Sequence, residues 1–224
     1  MMASNRRYRL LCPIARGLDR VGDRWSLLIL RDLHAGPARF VDLQSGLTGI
    51  APNMLSDRLA QLADDGLVVK EDASYGVTLY KLTELGERTR DILFELAMFG
   101  GRFPPDEHPR KPGNLRAIAV TMGSAARRVA TDGMDFEAVF RVDGEPFTLT
   151  VRDGDADMRI AKSNNPDLIV ETSYESLLAV SEGEMPLHEF IELHFNLEVK
   201  TPGKEVELMA LMSEVMAMFR GEKD

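Results

Sequence analysis

Asn53, Ser56 and Asp57 lie in the stretch GIAPNMLSDRLAQLADDGLV, residues 49–68. They bring an amide, a hydroxyl and a carboxylate to one edge of a single segment. Groups of this kind match the donor and acceptor patterns that base edges present in a DNA major groove. Leu55, Leu59 and Leu62 follow at i, i+4 and i+7, the spacing of one buried helical face, so the polar residues point away from that face. Pro52 suits a first helical position, where its missing N–H is no loss, and Gly66 ends the helix before Leu67-Val68-Val69 turns strand-like. Any solvated helix also shows a polar edge, so these residues gain meaning only from the elements that position them.

Other reactive chemistry is sparse. The single cysteine, Cys12, excludes an internal disulfide and suits a reducing compartment. His188 and His194 are six residues apart, off the spacing that places two metal ligands on one helical face, and His188 with Glu192 reads as a surface pair. Asp153, Asp155 and Asp157 read as a solvated turn. No phosphate loop, nucleophile elbow or dinucleotide fingerprint occurs, and neither an enzyme nor a cofactor or metal is expected.

The 224 residues suffice for one or two domains, and no apolar run approaches the ~18–20 residues of a membrane span. The expected location is the cytoplasm. The net charge of −9 is unevenly spread. Residues 1–100 carry 13 basic and 13 acidic side chains, whereas residues 131–224 carry 8 and 21. A nucleic-acid binder concentrates positive charge, so the total argues mildly against one, but the C-terminal part supplies nearly all the acid. GGRFPPDEHPRKPGN, with four prolines, falls where the balance changes. It reads as a linker at 101–114 between domains at 1–100 and 115–224.

Upstream of the linker, Ile14, Leu18 and Val21 give a first helix. Trp25, Leu28, Ile29 and Leu33 give a second, with Trp25 as core, and Phe40, Leu43 and Leu47 give a third. The opening stretch is the fourth. VVKEDASYGVTLYKLT then reads as a hairpin with its tip at residues 73–76, and TELGERTRDILFELAMFG as a helix with Ile92, Leu93, Leu96 and Phe99 on one side. This order is that of a winged helix-turn-helix, mainly α with a β-hairpin wing. The context favours a nucleic-acid reading of the polar edge over a merely solvated one.

CPIARGLDRVGDRWSLLILRDL, GPARFVDLQSGLTGIAPNMLSDRLAQLADDGLV and YKLTELG, in that order, resemble the HxlR family of bacterial transcriptional regulators over residues 10–100. The resemblance implies a homodimer built through terminal helices, with two recognition helices on a pseudo-palindrome in double-stranded DNA. One departure is Ala51, where many relatives cap the helix with Ser; an Ala cap costs ~1 kcal/mol, which Pro52 partly offsets. Within that frame Asn53 pairs with adenine, Ser56 contacts a base or a phosphate, and Asp57 accepts from cytosine N4 while repelling phosphate. Arg39 and Arg58 are phosphate anchors, and Lys70, Tyr75 and Lys81 are wing contacts. In some relatives a cysteine in this CP context senses oxidants. Arg6, Arg7, Arg9 and Arg16 near Cys12 favour its thiolate, against the alternative of a small residue closing the first helix.

The C-terminal half alternates as strands at Phe136–Val142 and Phe147–Val151, with Asp-Gly turns at 143–144 and 153–154. MRIAK and DLIVETS add strands. Tyr174–Val180 and Leu187–Phe195 read as helices, LEVK as a last strand, and the segment from Lys204 as a closing amphipathic helix. This is an α+β arrangement. Its order and turn placement resemble the sterol-carrier-protein-like fold, which implies an apolar cavity between sheet and helices. Phe140 and the closing-helix methionines Met209, Met212 and Met216 are the candidate lining for a small apolar effector. The same stripe at helical spacing also suits ordinary core. Two functional classes follow: a ligand-responsive DNA-binding regulator, and a lipid or small-molecule carrier whose N-terminal half serves dimerisation or protein contacts.

Overall fold

The computed structural model describes residues 8–73, 76–103, 115–130 and 132–221, and the chain divides into two compact units, Met1–Thr89 and Arg90–Asp224. The first unit holds α1 (Pro13–Val21), α2 (Ser26–His34), α3 (Phe40–Gly46), α4 (Pro52–Asp64), β1 (Val68–Ala73), β2 (Val77–Leu82) and the single turn α5 (Glu84–Glu87). Asp23 opens α2 by accepting from the Trp25 and Ser26 backbone N–H groups at 2.9 and 3.1 Å, which satisfies donors a helix start leaves free. Ile29, Leu30 and Leu33 of α2 are buried, as are Leu43 of α3 and Leu55, Leu59 and Leu62 of α4. Each such side chain contributes ~1.5–3 kcal/mol on burial, so this cluster fixes how the three helices meet. Trp25 departs from the core role expected of it: it is half-buried, with the Arg24 guanidinium 5.3 Å from its ring centre.

β1 and β2 pair antiparallel, from Val68 opposite Leu82 to Ala73 opposite Val77. Ala38 adds a third short rung by exchanging backbone hydrogen bonds with Tyr80 at 3.0 and 2.8 Å. The YKLTELG motif closes the unit. The Thr83 hydroxyl donates to the Gly66 carbonyl at 2.6 Å and accepts from the Gly86 N–H at 3.1 Å. A Cβ on Gly86 would stand 2.1 Å from the Leu67 carbonyl oxygen, so only glycine lets this turn lie on the start of the wing.

The second unit contains α6 (Thr89–Gly100, beginning at the last residue of the first unit), α7 (Ala117–Val129), β3 (Phe136–Val142), β4 (Glu145–Arg152), β5 (Asp155–Ile160), β6 (Leu168–Thr172), α8 (Tyr174–Ser181), α9 (Leu187–Leu193), β7 (Asn196–Val199) and α10 (Lys204–Phe219). The sheet runs β5-β4-β3-β6-β7, antiparallel throughout except for the β3–β6 pair. Alternate residues of its strands, Phe136, Ala138, Phe140 and Val142 on β3 and Phe147, Leu149 and Val151 on β4, are buried together with Leu208, Leu211, Met212, Val215 and Met216 of α10. Phe190 and Phe195 meet edge to face with 5.6 Å between ring centres, and Phe140 meets Phe195 at 6.4 Å.

Three expectations change. The sequence pattern marks no element at residues 117–129, where the chain forms α7, a helix of 13 residues. The sequence puts α6 at the end of a domain at 1–100, and in the structure it packs with the second unit from Arg90 onward. Arg90 bonds Asp157 of β5 at 2.7 Å, Arg128 of α7 bonds Asp91 at 2.9 Å and lies 4.0 Å over the Phe94 ring, and Phe94 faces Phe219. Residues 104–114, the greater part of the expected linker, lie outside the described residues. Asp157 is no solvated turn residue: it sits on β5 between Arg90 and Arg159, each at 2.7 Å. Burial pushes its pKa up, but the hydrogen bonds and charges of Arg159 and Arg90 outweigh that and hold it below the ordinary carboxylate value.

Candidate nucleic-acid interface

The five residues Leu47–Ala51 join α3 to α4. Leu47 and Ile50 are buried and pin the turn from inside, while Gly49 at φ +93° takes the left-handed conformation the reversal needs. Ala51 precedes α4 in an extended conformation and gives no side-chain cap, with Pro52 at the helix start. Leu55, Leu59 and Leu62 hold the helix from beneath. Pro52, Asn53, Ser56 and Asp57 are exposed at its leading edge, and the last three make no side-chain hydrogen bond or ion pair among the described residues. Met54, which the sequence reading passed over, is 37% exposed beside them and offers an apolar contact of the kind a thymine methyl accepts. Its place among polar neighbours, off the leucine spacing, was the signal.

The expected cationic anchors are held differently. Arg39 is exposed, but its guanidinium grips Asp42 in a fork at 2.9 and 2.7 Å, and the Arg39 N–H donates to the same carboxylate at 3.0 Å. The hydrogen bond to Asp42 and its charge raise the Arg39 pKa. Arg58 is only 26% exposed and stands 3.5 Å from Asp23, the residue that opens α2, so it ties α4 to the start of α2. On the wing, Lys81 is paired with Glu71 across the strands, and Thr78 donates to Asp72 at 3.0 Å. Lys70 is exposed and has no ion-pair partner among the described residues; Tyr75 lies outside them. The polar leading edge is therefore open, while the cations around it are largely neutralised by the domain's own carboxylates.

The remaining candidates lie elsewhere. Cys12 is exposed directly before α1; Arg9 and Arg16 near it are exposed, and Arg6 and Arg7 lie outside the described residues. Phe140 and Met212 are fully packed core, Met209 is half-buried, and Met216 borders a cleft. No group of metal-ligating side chains is present among the described residues.

Helices α2 to α4 with a two-stranded hairpin after them define a winged helix-turn-helix, a class that places the second helix of its turn in a major groove. Residues 20–108 match the family described as HxlR-like helix-turn-helix. The HTH-type transcriptional regulator YtfH of Escherichia coli is 36% identical over 90 residues, covering 38% of this chain and 70% of the relative. YkvN of Bacillus subtilis, another HTH-type transcriptional regulator, is 33% identical over 90 residues, covering 39% and 76%. A solved structure titled as the redox regulator HypR in its oxidized form is 26% identical, covers 42% of this chain and 100% of that chain, and has a TM-score of 0.41. The chain belongs to the HxlR-like helix-turn-helix family of transcriptional regulators.

Proposed function

We propose that this protein binds a pseudo-palindromic operator as a homodimer through the leading edge of α4, and that a small effector held by its second unit modulates that binding. The observation that carries the reading is the open row Asn53, Ser56 and Asp57 on the second helix of a helix-turn-helix. Asn53 offers the donor and acceptor pair that adenine takes in the major groove, and Asp57 disfavours phosphate, which pushes that part of the edge towards a base. Membership of a helix-turn-helix regulator family supports DNA as the partner.

Dimerisation is supported by apolar surface that a monomer leaves in water. Leu11, Ile14 and Leu18 on and before α1 are 97%, 74% and 46% exposed, and Ile92, Leu96 and Phe99 on α6 are 53%, 48% and 60% exposed. Side chains at such spacing are a helical stripe that a partner covers. The second unit is supported as a sterol-carrier-like domain by its mixed sheet with β6 inserted parallel beside β3 and with α10 packed over the strands. Among the described residues no helix is long and apolar enough to cross a membrane.

The test is binding of a labelled DNA fragment from upstream of the protein's own gene, at physiological salt and with excess random competitor. Retained binding supports the operator reading. Loss of all binding to competitor favours the carrier alternative.

A further inference from the structure

One connection of the five-stranded sheet has to cross its neighbours. β5 and β6 follow each other in the chain but lie on opposite sides of the β4–β3 pair, so residues 161–167 span those two strands on one face. The Thr148 hydroxyl of β4 donates to the Ala161 carbonyl at 3.0 Å. Thr148 points opposite to Phe147 and Leu149, so the crossing runs over the face away from α10. At its far end the Asp167 N–H donates to the Glu137 carbonyl and the Asp167 carboxylate accepts the Glu137 N–H, both at 2.8 Å. The crossing is thus fastened at both ends. Its middle, residues 162–166, borders a cavity of about 610 Å³ that has Val139 of β3 and Ile169 of β6 as its apolar floor. That size falls in the ~300–1,000 Å³ of small-molecule sites.

Charge singles this cavity out. Residues 131–224 carry 8 basic and 21 acidic side chains, yet the lining takes three of those eight cations, Arg141, Lys162 and Lys200, and no carboxylate. Lys162 is exposed and its side chain has no partner among the described residues. Arg141 gives one guanidinium nitrogen to Glu171 at 2.9 Å, and Lys200 pairs with Glu198 on its own strand. Both pairs are exposed, and exposed pairs contribute little, so a ligand of higher charge displaces either carboxylate. A phosphate monoester carries a charge of about −1.5 to −2 at neutral pH and three acceptor oxygens. It answers cations converging from three segments better than the two oxygens of a carboxylate.

We propose that this cavity binds a phosphorylated small molecule, with its phosphate at Lys162 and Arg141, Lys200 as the third charge, and its body on Val139 and Ile169. This gives the effector reading a ligand class, and only its regulatory half rests on that reading: the ligand controls DNA binding by favouring one state of the chain over another.

The experiment titrates the full chain with 1-naphthyl phosphate and, separately, with 1-naphthoate and 1-naphthol, reading naphthyl emission. The phosphate binds saturably and at least about tenfold more tightly than either control, the difference that charge-assisted hydrogen bonds make. Lys162→Ala lowers its affinity about tenfold and Lys162→Arg restores it. Arg152→Ala, which removes a cation of the same unit outside the cavity, leaves it unchanged. No saturable binding, naphthol or naphthoate binding as tightly as the phosphate, or an affinity that Lys162→Ala leaves alone or that Arg152→Ala lowers equally overturns the proposal. Both substituted positions are exposed, so the variants fold, and their melting curves check it. Operator binding is measured on the same samples without probe. A chain that binds operator but no phosphate removes the cavity and leaves the regulator. One that binds the phosphate as described but no operator removes the regulator and leaves the cavity.

Discussion

Helices α4 and α6 are nearly equal in length, 13 and 12 residues, and each reads as an amphipathic helix, yet they leave opposite surfaces in water. α4 buries all three leucines of its stripe and exposes an amide, a hydroxyl and a carboxylate. α6 buries Leu93 and Phe94 and exposes Ile92, Leu96 and Phe99. A polar edge on a turn motif needs no cover until a ligand with matching hydrogen-bond groups arrives. An apolar edge has water as its worst neighbour and calls for protein. On the proposed reading the two helices divide the labour of a dimeric regulator, one for the operator and one for the partner subunit. Both are mounted by packing together with ion pairs: the leucines and Arg58–Asp23 hold α4, and Leu93 and Phe94 with Arg90–Asp157 and Arg128–Asp91 hold α6.

The division breaks most completely by charging the stripe of α6. Leu96→Glu combined with Phe99→Glu is expected to give a folded monomer in analytical ultracentrifugation. Its operator affinity falls on the order of a hundredfold, because two linked half-site contacts become one. A dimer that persists moves the interface elsewhere. On α4, Asn53→Ala is expected to lose ~1–3 kcal/mol of operator affinity, with random-sequence affinity and thermal stability nearly unchanged. An unchanged ratio of operator to random binding removes Asn53 as a base reader.

A smaller effect sharpens the electrostatic side. Asp42→Asn releases the Arg39 guanidinium from its carboxylate. The slope of log affinity against log salt should steepen by about 0.9 per protomer, the value of one added phosphate contact. A slope equal to that of the unsubstituted protein leaves Arg39 clear of the DNA. The smallest effect concerns the mounting of α6. The Asp157 pKa is depressed in the folded chain, so its pairing stabilises the fold above the unfolded carboxylate pKa of ~3.9 and that contribution fades as pH falls through the folded value. Asp157→Asn should therefore melt lower than the parent protein at neutral pH, and the two curves should converge below about pH 4.

Periodicity made the leucine face of α4 and the Asp-Gly hairpins of the sheet legible, because both depend on residues close in sequence. It found the apolar residues of α6 but assigned them one face, and the helix has several neighbours: Leu93 and Phe94 face inward, Met98 borders a cleft and Leu96 faces water. α7 escaped because its stripe is built largely of small residues, Ala119, Ser124, Ala125 and Ala126, which carry little periodic signal after a proline-rich stretch. The pairing of Arg39 with Asp42 was readable in principle, three residues apart at a helix start. That of Arg58 with Asp23 was not, since 35 positions separate residues that only the α2–α4 packing brings together.

Hydroxyl-radical footprinting of the full chain on DNA from upstream of its own gene tests the central claim most directly. The account predicts two protected patches related by a two-fold axis, centred one helical turn of ~34–36 Å or a multiple apart, with protection lost on Asn53→Ala. A single patch, or protection no stronger than on random DNA at physiological salt, contradicts it.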